Sequence, residues 1–192
     1  MADCDCHEIE GLTRNVLRWL LAINASLFVL EVGVGWWAQS LALAADGVDM
    51  LADALVYGLS LAAIGRSPQF QKRTARFSGV LQMTLAVLIW VGAWQRFQGG
   101  RLPAVWAMGG VGLLALIGNA IAVVLLAKHR QGAVHLQASW IFSRNDVLAN
   151  LGTIGAGLLC GALQTNLPDL VVGAAIGLLV AHGSWKIWRL AR

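Results

Sequence analysis

The chain has 192 residues, of which 58% are hydrophobic and only 12% are charged, and its mean hydropathy is +0.67. Soluble globular domains carry about 25% charged residues, so this composition indicates a membrane protein and excludes an ordinary soluble domain. The net charge of +4 comes without a basic soluble segment interleaved with aromatic residues, which argues against a nucleic-acid partner.

Six apolar runs are each long enough to cross a bilayer, which takes about 20 helical residues. They predict one all-α integral membrane domain at residues 13–192, a bundle of six transmembrane helices, after a short tail at residues 1–12. The sequence stops soon after the last run, so we expect no soluble C-terminal domain. The predicted helices are Val16–Trp37, Leu41–Ile64, Phe77–Trp94, Val105–Ala127, Ser139–Leu163 and Leu170–Trp188.

Lys and Arg are distributed unequally between the two ends of these helices. Cytoplasmic loops of membrane proteins collect Lys and Arg, so the basic ends are expected to be cytoplasmic, together with both termini. The same basic residues predict attraction to anionic lipid headgroups. One side holds only Arg96 and Arg101, whereas the other holds Arg14, Arg18, Arg66, Lys72, Arg73, Arg76, Lys128, Arg130, Lys186, Arg189 and Arg192.

The N-terminal tail places Cys4, Cys6 and His7 among acidic residues. Thiolate and imidazole ligands suit Zn(II) or Cd(II), so the tail is a candidate auxiliary metal site. Incidental cysteines in a disordered tail are an equally good explanation. The tail also lacks the basic segment of a cleavable signal peptide, so the first helix is expected to be retained.

The second predicted helix carries the acids Asp46, Asp49 and Asp53. At 100° per residue these positions form one stripe of one helix. Inserting each acid near a bilayer centre costs roughly 2.5 to 3.5 kcal/mol of free energy. Three such acids are therefore more consistent with a cation site than with residues that have no function. Glu31 on the first helix either lines the mouth of the same pathway or lies hydrated near the outer surface.

The fifth predicted helix supplies a second set of polar residues. Asp146 and Asn150 are one turn apart on one face, whereas Arg144 lies about 200° from Asp146. A salt bridge to Arg144 is the structural alternative for Asp146, but this angle makes it awkward and favours a ligand role. His135, at the foot of the helix, is a candidate residue of the inner pathway mouth.

These residues resemble the signature of the cation diffusion facilitator family of divalent metal exporters. Asp49 and Asp53 match the [HD]xxxD pair of its second helix, and Asp146 matches the second acid of the pair on its fifth helix. The resemblance implies six helices, cytoplasmic termini, a homodimer and metal/proton antiport by alternating access. It also implies a cargo of the Zn, Co and Cd class and a place in the bacterial inner (plasma) membrane.

The sequence departs from this pattern at two points. Phe142 stands where the family has His or Asp, so the fourth ligand is missing, and water, Asn150, Ser143, Asn145 or Asp46 are the candidates to replace it. An all-oxygen set favours Mn(II), Fe(II) or Co(II), although zinc also accepts carboxylates. The family usually adds a soluble cytoplasmic domain after the sixth helix, which we do not expect here. Any dimer is therefore expected to form through the transmembrane helices or lipid.

Carboxylates that share a poorly hydrated site bind protons in competition with metal, which makes protons the expected counter-ion.

Three other functions are compatible with the pattern to different degrees. A metal sensor could work through the Cys/His tail, and a carrier of organic cations could use the same acids. A membrane hydrolase is disfavoured because no HExxH or GxSxG motif occurs, so we do not expect an enzyme.

Overall fold

A computed structural model describes residues 2–37, 41–99 and 105–192, with side chains described at 11, 13–33, 47–95, 97–98 and 113–192. These residues are almost entirely helical and contain no strand, which confirms the predicted all-α architecture. A short 3-10 turn, Ala127–His129, precedes the fifth helix. The helices are α1 (Ala2–Trp37), α2 (Leu41–Ala63), α3 (Pro68–Gly99), α4 (Val105–Leu126), α5 (Val134–Leu163) and α6 (Leu167–Leu190).

Four segments in the described part of the chain are long and apolar enough to cross a membrane. A shorter apolar segment, Leu113–His129, belongs to the end of α4 and the turn after it. The side chains at the start of α2 and α4 lie outside the described set, so the count of six spans stays a prediction. The four segments are Thr13–Gly33, Pro68–Gln95, Val134–Leu163 and Leu167–Leu190.

Four helices begin earlier than their apolar runs predict, and the shift is smallest for α6, which begins at Leu167. α1 begins at Ala2, in the region predicted to be a tail, while α3 begins at Pro68 and α5 at Val134. An apolar run marks only the part of a helix that can lie in hydrocarbon, and polar turns beyond it are equally able to stay helical. Proline suits the first turn of α3 because its missing N–H is unpaired there in any helix.

The helices pack mainly as α1 with α2, α3 with α6, and α5 with α4 and α6. In the α3–α6 pair, Trp90 of α3 lies over Gly177 and Trp188 of α6 lies over Gly79. The indole of Trp90 also donates to the carbonyl of Ala174 at 3.3 Å. Small residues beneath large rings bring helix axes close together, so α3 and α6 form a tight antiparallel pair.

Basic side chains bind carbonyl oxygens at helix C-termini on one end of the bundle. Arg14 donates to the Ile64 carbonyl at 3.2 Å, and Arg76 donates to the Ala191 carbonyl at 3.1 Å. Cations are favourable there because the last carbonyls of a helix are unpaired and carry partial negative charge. This is the end that the Lys/Arg distribution predicts to be cytoplasmic.

Candidate metal-binding site

Asp53 of α2 and Asp146 of α5 bring their carboxyl groups together inside the bundle. Asp53 is 1% exposed and Asp146 is half-buried, and the two groups lie within hydrogen-bonding range of each other. Among the described residues, neither Asp53 oxygen nor Oδ2 of Asp146 has a hydrogen-bond donor. Adjacent carboxylates repel unless a proton or a cation lies between them, which makes this pair a candidate cation site.

Asp49 lies one turn before Asp53 and interacts electrostatically with both carboxyl groups of the pair. It is exposed, because residues four apart on a helix differ by about 40° and this offset moves Asp49 to the flank of α2. Accordingly, no three His, Cys, Asp or Glu side chains in the described part of the chain converge closely enough to hold an ion. The buried pair is therefore the centre of the site, with Asp49 beside it.

Phe142 fills the space that a fourth ligand from α5 would need. Its ring is 1% exposed and packs against Ala52 and Val56 of α2, on the two sides of Asp53 in the sequence. An apolar ring offers no lone pair to a metal. Any further ligand for the pair must therefore come from another position on these helices.

Two hydroxyl pairs join α2 and α5 between the acids and the end of the bundle that carries Arg14 and Arg76. Tyr57 Oη lies 2.6 Å from Ser143 Oγ, and Ser60 Oγ lies 2.6 Å from Ser139 Oγ. All four residues are fully buried, and we call them the hydroxyl ladder. Only Ser143 was predicted as a site residue. The other three could have been found from the sequence, because polar residues are spaced three or four apart on both helices. They occupy positions 53, 57 and 60 on α2 and positions 139, 143 and 146 on α5.

The other candidate ligands on α5 lie in different surroundings. Asn145 is buried, and its Nδ2 has no acceptor among the residues described; it packs against Gly183 of α6. Gln82 of α3, whose polar atoms also have no described partner, lies beside the same glycine. Asn150 is half-buried one turn beyond Asp146, while the side chain of Asp46 lies outside the described residues. The structure thus turns Asn145 toward α6.

The two predicted pathway residues are both interior. Glu31 is 3% exposed, and its Cβ packs against Gly47 of α2, so it does not lie at a hydrated surface. His135 is 2% exposed in the first turn of α5, with neither ring nitrogen paired to a described residue. Its carbonyl accepts a hydrogen bond from Ser60 at 3.2 Å. Each residue therefore lies within the bundle, on a helix that contacts α2.

Arg144 points away from the acid pair. It is exposed, and its guanidinium lies 5.7 Å from the ring centroid of Trp140, a cation–π distance. This supports the interpretation of Asp146 as a ligand over that of a salt-bridge partner. The tail residues Cys4, Cys6 and His7 belong to the first turns of α1, but their side chains lie outside the described set.

Fold and site together define a class: an α-helical membrane protein with an ionisable pair facing the bundle interior, a hallmark of proteins that handle ions in the bilayer. The family model for the cation efflux transmembrane domain matches residues 17–191. The chain therefore belongs to the cation efflux family, which confirms the resemblance found in its sequence.

Curated relatives with similar sequences extend beyond this chain. The metal cation efflux system protein CzcD of Cupriavidus metallidurans is 26% identical over 191 residues, covering 93% of this chain and 60% of the relative. The zinc transporter ZitB of Escherichia coli is 24% identical over 194 residues, covering 94% and 62%. ZitB of Pectobacterium atrosepticum is 27% identical over 203 residues, covering 97% and 62%. The chain thus spans about 60% of the length of the curated relatives it matches.

Proposed function

We propose that this chain exports divalent metal cations across a membrane, as a transporter and not as an enzyme. The observation that carries the proposal is the contact between Asp53 and Asp146, which come from different helices; neither Asp53 oxygen nor Oδ2 of Asp146 has a described donor. Membership of the cation efflux family and the printed names of the relatives support the same activity. Asp49, exposed one turn from Asp53, is the proposed third carboxylate and would have to turn inward when the cation binds.

The pair suits metal/proton antiport. When no metal is bound, a proton neutralises the repulsion between Asp53 and Asp146, and an arriving divalent cation displaces it. If α2 and α5 then expose the pair to the other side, protons entering from outside release the metal there. Inward proton flow thereby drives outward metal flow by alternating access.

The membrane arrangement that we propose has six spans with both termini in the cytoplasm of a bacterial cell. The Lys/Arg bias of the sequence and the bacterial source of the relatives support this inner-membrane location. We also propose a homodimer formed through the transmembrane helices. Apolar side chains exposed along α3, among them Val80, Val87 and Leu88, offer a surface for such a contact or for lipid.

The ligand chemistry favours hard or borderline divalent ions. Carboxylates with neutral oxygen ligands suit Mn(II), Fe(II) and Co(II), whereas imidazole, which suits zinc, is absent where Phe142 stands. Zinc also accepts carboxylates at four-coordination, and two of the relatives are named zinc transporters. We therefore propose a first-row divalent cation as cargo, with zinc, cobalt and manganese as the first to measure.

The test is metal-driven proton flux in proteoliposomes containing the purified full chain and an internal pH-sensitive dye. Asp49→Ala, Asp53→Ala and Asp146→Ala are each expected to reduce flux at least about tenfold, because each removes a charged ligand. Arg144→Gln, on the same helix as Asp146 but turned outward, is the matched control and should keep wild-type flux. Normal flux in Asp53→Ala or Asp146→Ala would remove the proposed site.

A further inference from the structure

Tyr57 is a buried hydroxyl residue on α2, one helical turn beyond Asp53. Residues four apart on a helix differ by about 40°, and here both side chains face the bundle interior. Side chains on a helix lean toward its N-terminus, which for Tyr57 is the direction of the Asp53 turn. The phenol is fully buried and lies within electrostatic range of the carboxyl groups of both Asp53 and Asp146.

The hydroxyl of Tyr57 is in hydrogen-bond contact with Ser143. A serine hydroxyl has a single proton to donate, and Ser143 Oγ can also give its proton to the carbonyl of Ser139 at 3.0 Å. In the 2.6 Å contact between Tyr57 and Ser143 either oxygen can donate. In both arrangements the Tyr57 oxygen keeps at least one lone pair without a described donor, which can accept a cation.

Phe142 leaves the α5 ligand position without a donor atom. Its buried ring excludes an imidazole or carboxylate from the neighbouring turn of α5. Zinc and similar ions require about four ligands, and three carboxylates leave one position open. Ser143, an alternative for that position, already makes hydrogen-bond contacts with both Tyr57 and the Ser139 carbonyl.

We propose that the hydroxyl oxygen of Tyr57, held in place by Ser143, is the fourth protein ligand of the transported metal. This ligand would give the site a preference for cations that favour oxygen ligands. The inference rests on the proposed transport function and assigns the ligand that the α5 sequence lacks. A neutral phenol adds no charge to three carboxylates. A phenol oxygen also differs from the imidazole nitrogen that favours zinc over manganese.

Tyr57→Phe removes this oxygen and keeps the ring that packs in the core. In proteoliposomes, the KM for Mn(II) and Co(II) is expected to rise about 10- to 100-fold, with a smaller effect on the maximal rate. Ser60→Ala is the matched control, because it breaks a 2.6 Å hydroxyl pair of the same ladder one turn further from the acids. It should leave every metal KM within about twofold of wild type.

Combining Tyr57→Phe with Phe142→His shows whether the Tyr57 hydroxyl binds the metal or only holds α2 and α5 together. Phe142→His supplies an imidazole from α5 to the open position, so Tyr57→Phe in that background should raise the metal KM by less than about threefold. A hydroxyl that only holds α2 to α5 would cost the same in both backgrounds. Equal costs, or an equal effect of Ser60→Ala, overturn the role of Tyr57.

The ligand role of Tyr57 and the transport function are distinguished by different results. Unchanged metal KM values in Tyr57→Phe, with flux abolished in Asp53→Ala, overturn the ligand role and keep the transport function. Absence of flux for zinc, cobalt and manganese with the wild-type chain overturns both. A selective rise of KM in Tyr57→Phe, relieved by Phe142→His, supports both.

Discussion

The carboxyl groups of Asp53 and Asp146 meet inside the bundle, although 92 residues separate them in the sequence. Each lies on a different helix, and α2 and α5 also contact each other through the hydroxyl ladder. A relative movement of these two helices must therefore change the carboxylate contact and the hydroxyl pairs together. We therefore propose that the acid pair at the α2–α5 interface binds the cation and that movement of these two helices changes access to it.

Phe142→His should change the metal preference of the transporter. The substitution places an imidazole beside Asp53, and imidazole favours zinc relative to manganese. We expect the ratio of kcat/KM for zinc to that for manganese to rise about tenfold or more, a change worth about 1.4 kcal/mol. Flux assays with each metal in proteoliposomes measure the ratio.

Phe142→Leu is the control for this experiment, because it relieves packing against Ala52 and Val56 without adding a ligand. It should weaken stability and leave the zinc-to-manganese ratio unchanged. A ratio that moves equally in the Leu and His variants would attribute the change to lost packing and contradict the ligand explanation.

Arg144→Gln should leave metal-driven flux and its metal KM unchanged. The guanidinium lies over Trp140 on the exposed side of α5 and is not turned toward the acid pair. An exposed cation–π contact contributes about 0.5 to 1 kcal/mol, so only a small fall in melting temperature is expected. A strong loss of flux would show that Arg144 neutralises Asp146, the alternative that the sequence left open.

The replacement of Cys4, Cys6 and His7 together by Ser, Ser and Ala tests the alternative of a tail-centred sensor. A transporter whose cargo binds at Asp53 and Asp146 should retain its maximal flux without these ligands. The control is the Asp53→Ala chain with an intact tail, which should lose flux. A chain that carries no metal flux but loses its metal response when the tail ligands are replaced would favour the sensor interpretation.

The sequence predicted the acid pair because charged residues in apolar helices are costly and therefore conspicuous. Asp53 and Asp146 could be named from composition and from the family pattern, and the structure brings them together. Tyr57 could not be named in this way, because an uncharged tyrosine in an apolar run is equally compatible with core packing. Only the three-dimensional pairing with Ser143 separates the two roles.

Asp49 was predicted to share the face of Asp53, yet it is exposed on the flank of α2. Helical periodicity gives the angle between two side chains but not the position of the neighbouring helices, which decides which side chain becomes buried. Helix starts were missed for a related reason, since α3 begins at Pro68 before its apolar run. The length of an apolar run reflects the thickness of the bilayer, whereas the helix itself can continue into polar residues on either side.

Two glycines of α6 provide a matched test of the packing beside the site. A Cβ at Gly183 would overlap the amide of Asn145, the neighbour of Asp146, and would lie 3.1 Å from Oε1 of Gln82. A Cβ at Gly173 would meet only Ala93 at 3.9 Å, an ordinary contact. Gly183→Ala should therefore destabilise the chain by about 1 to 3 kcal/mol through overpacking.

Gly173→Ala should be neutral or stabilising by up to about 1 kcal/mol, because alanine is the better helix former. Both changes add the same methyl group to the same helix, so the difference between their melting temperatures in detergent isolates the contact with Asn145. Gly183→Ala should also lower metal-driven flux, since displacing Asn145 moves the turn of α5 that carries Asp146. Equal melting temperatures for the two variants would contradict the close approach of α5 and α6 at Gly183.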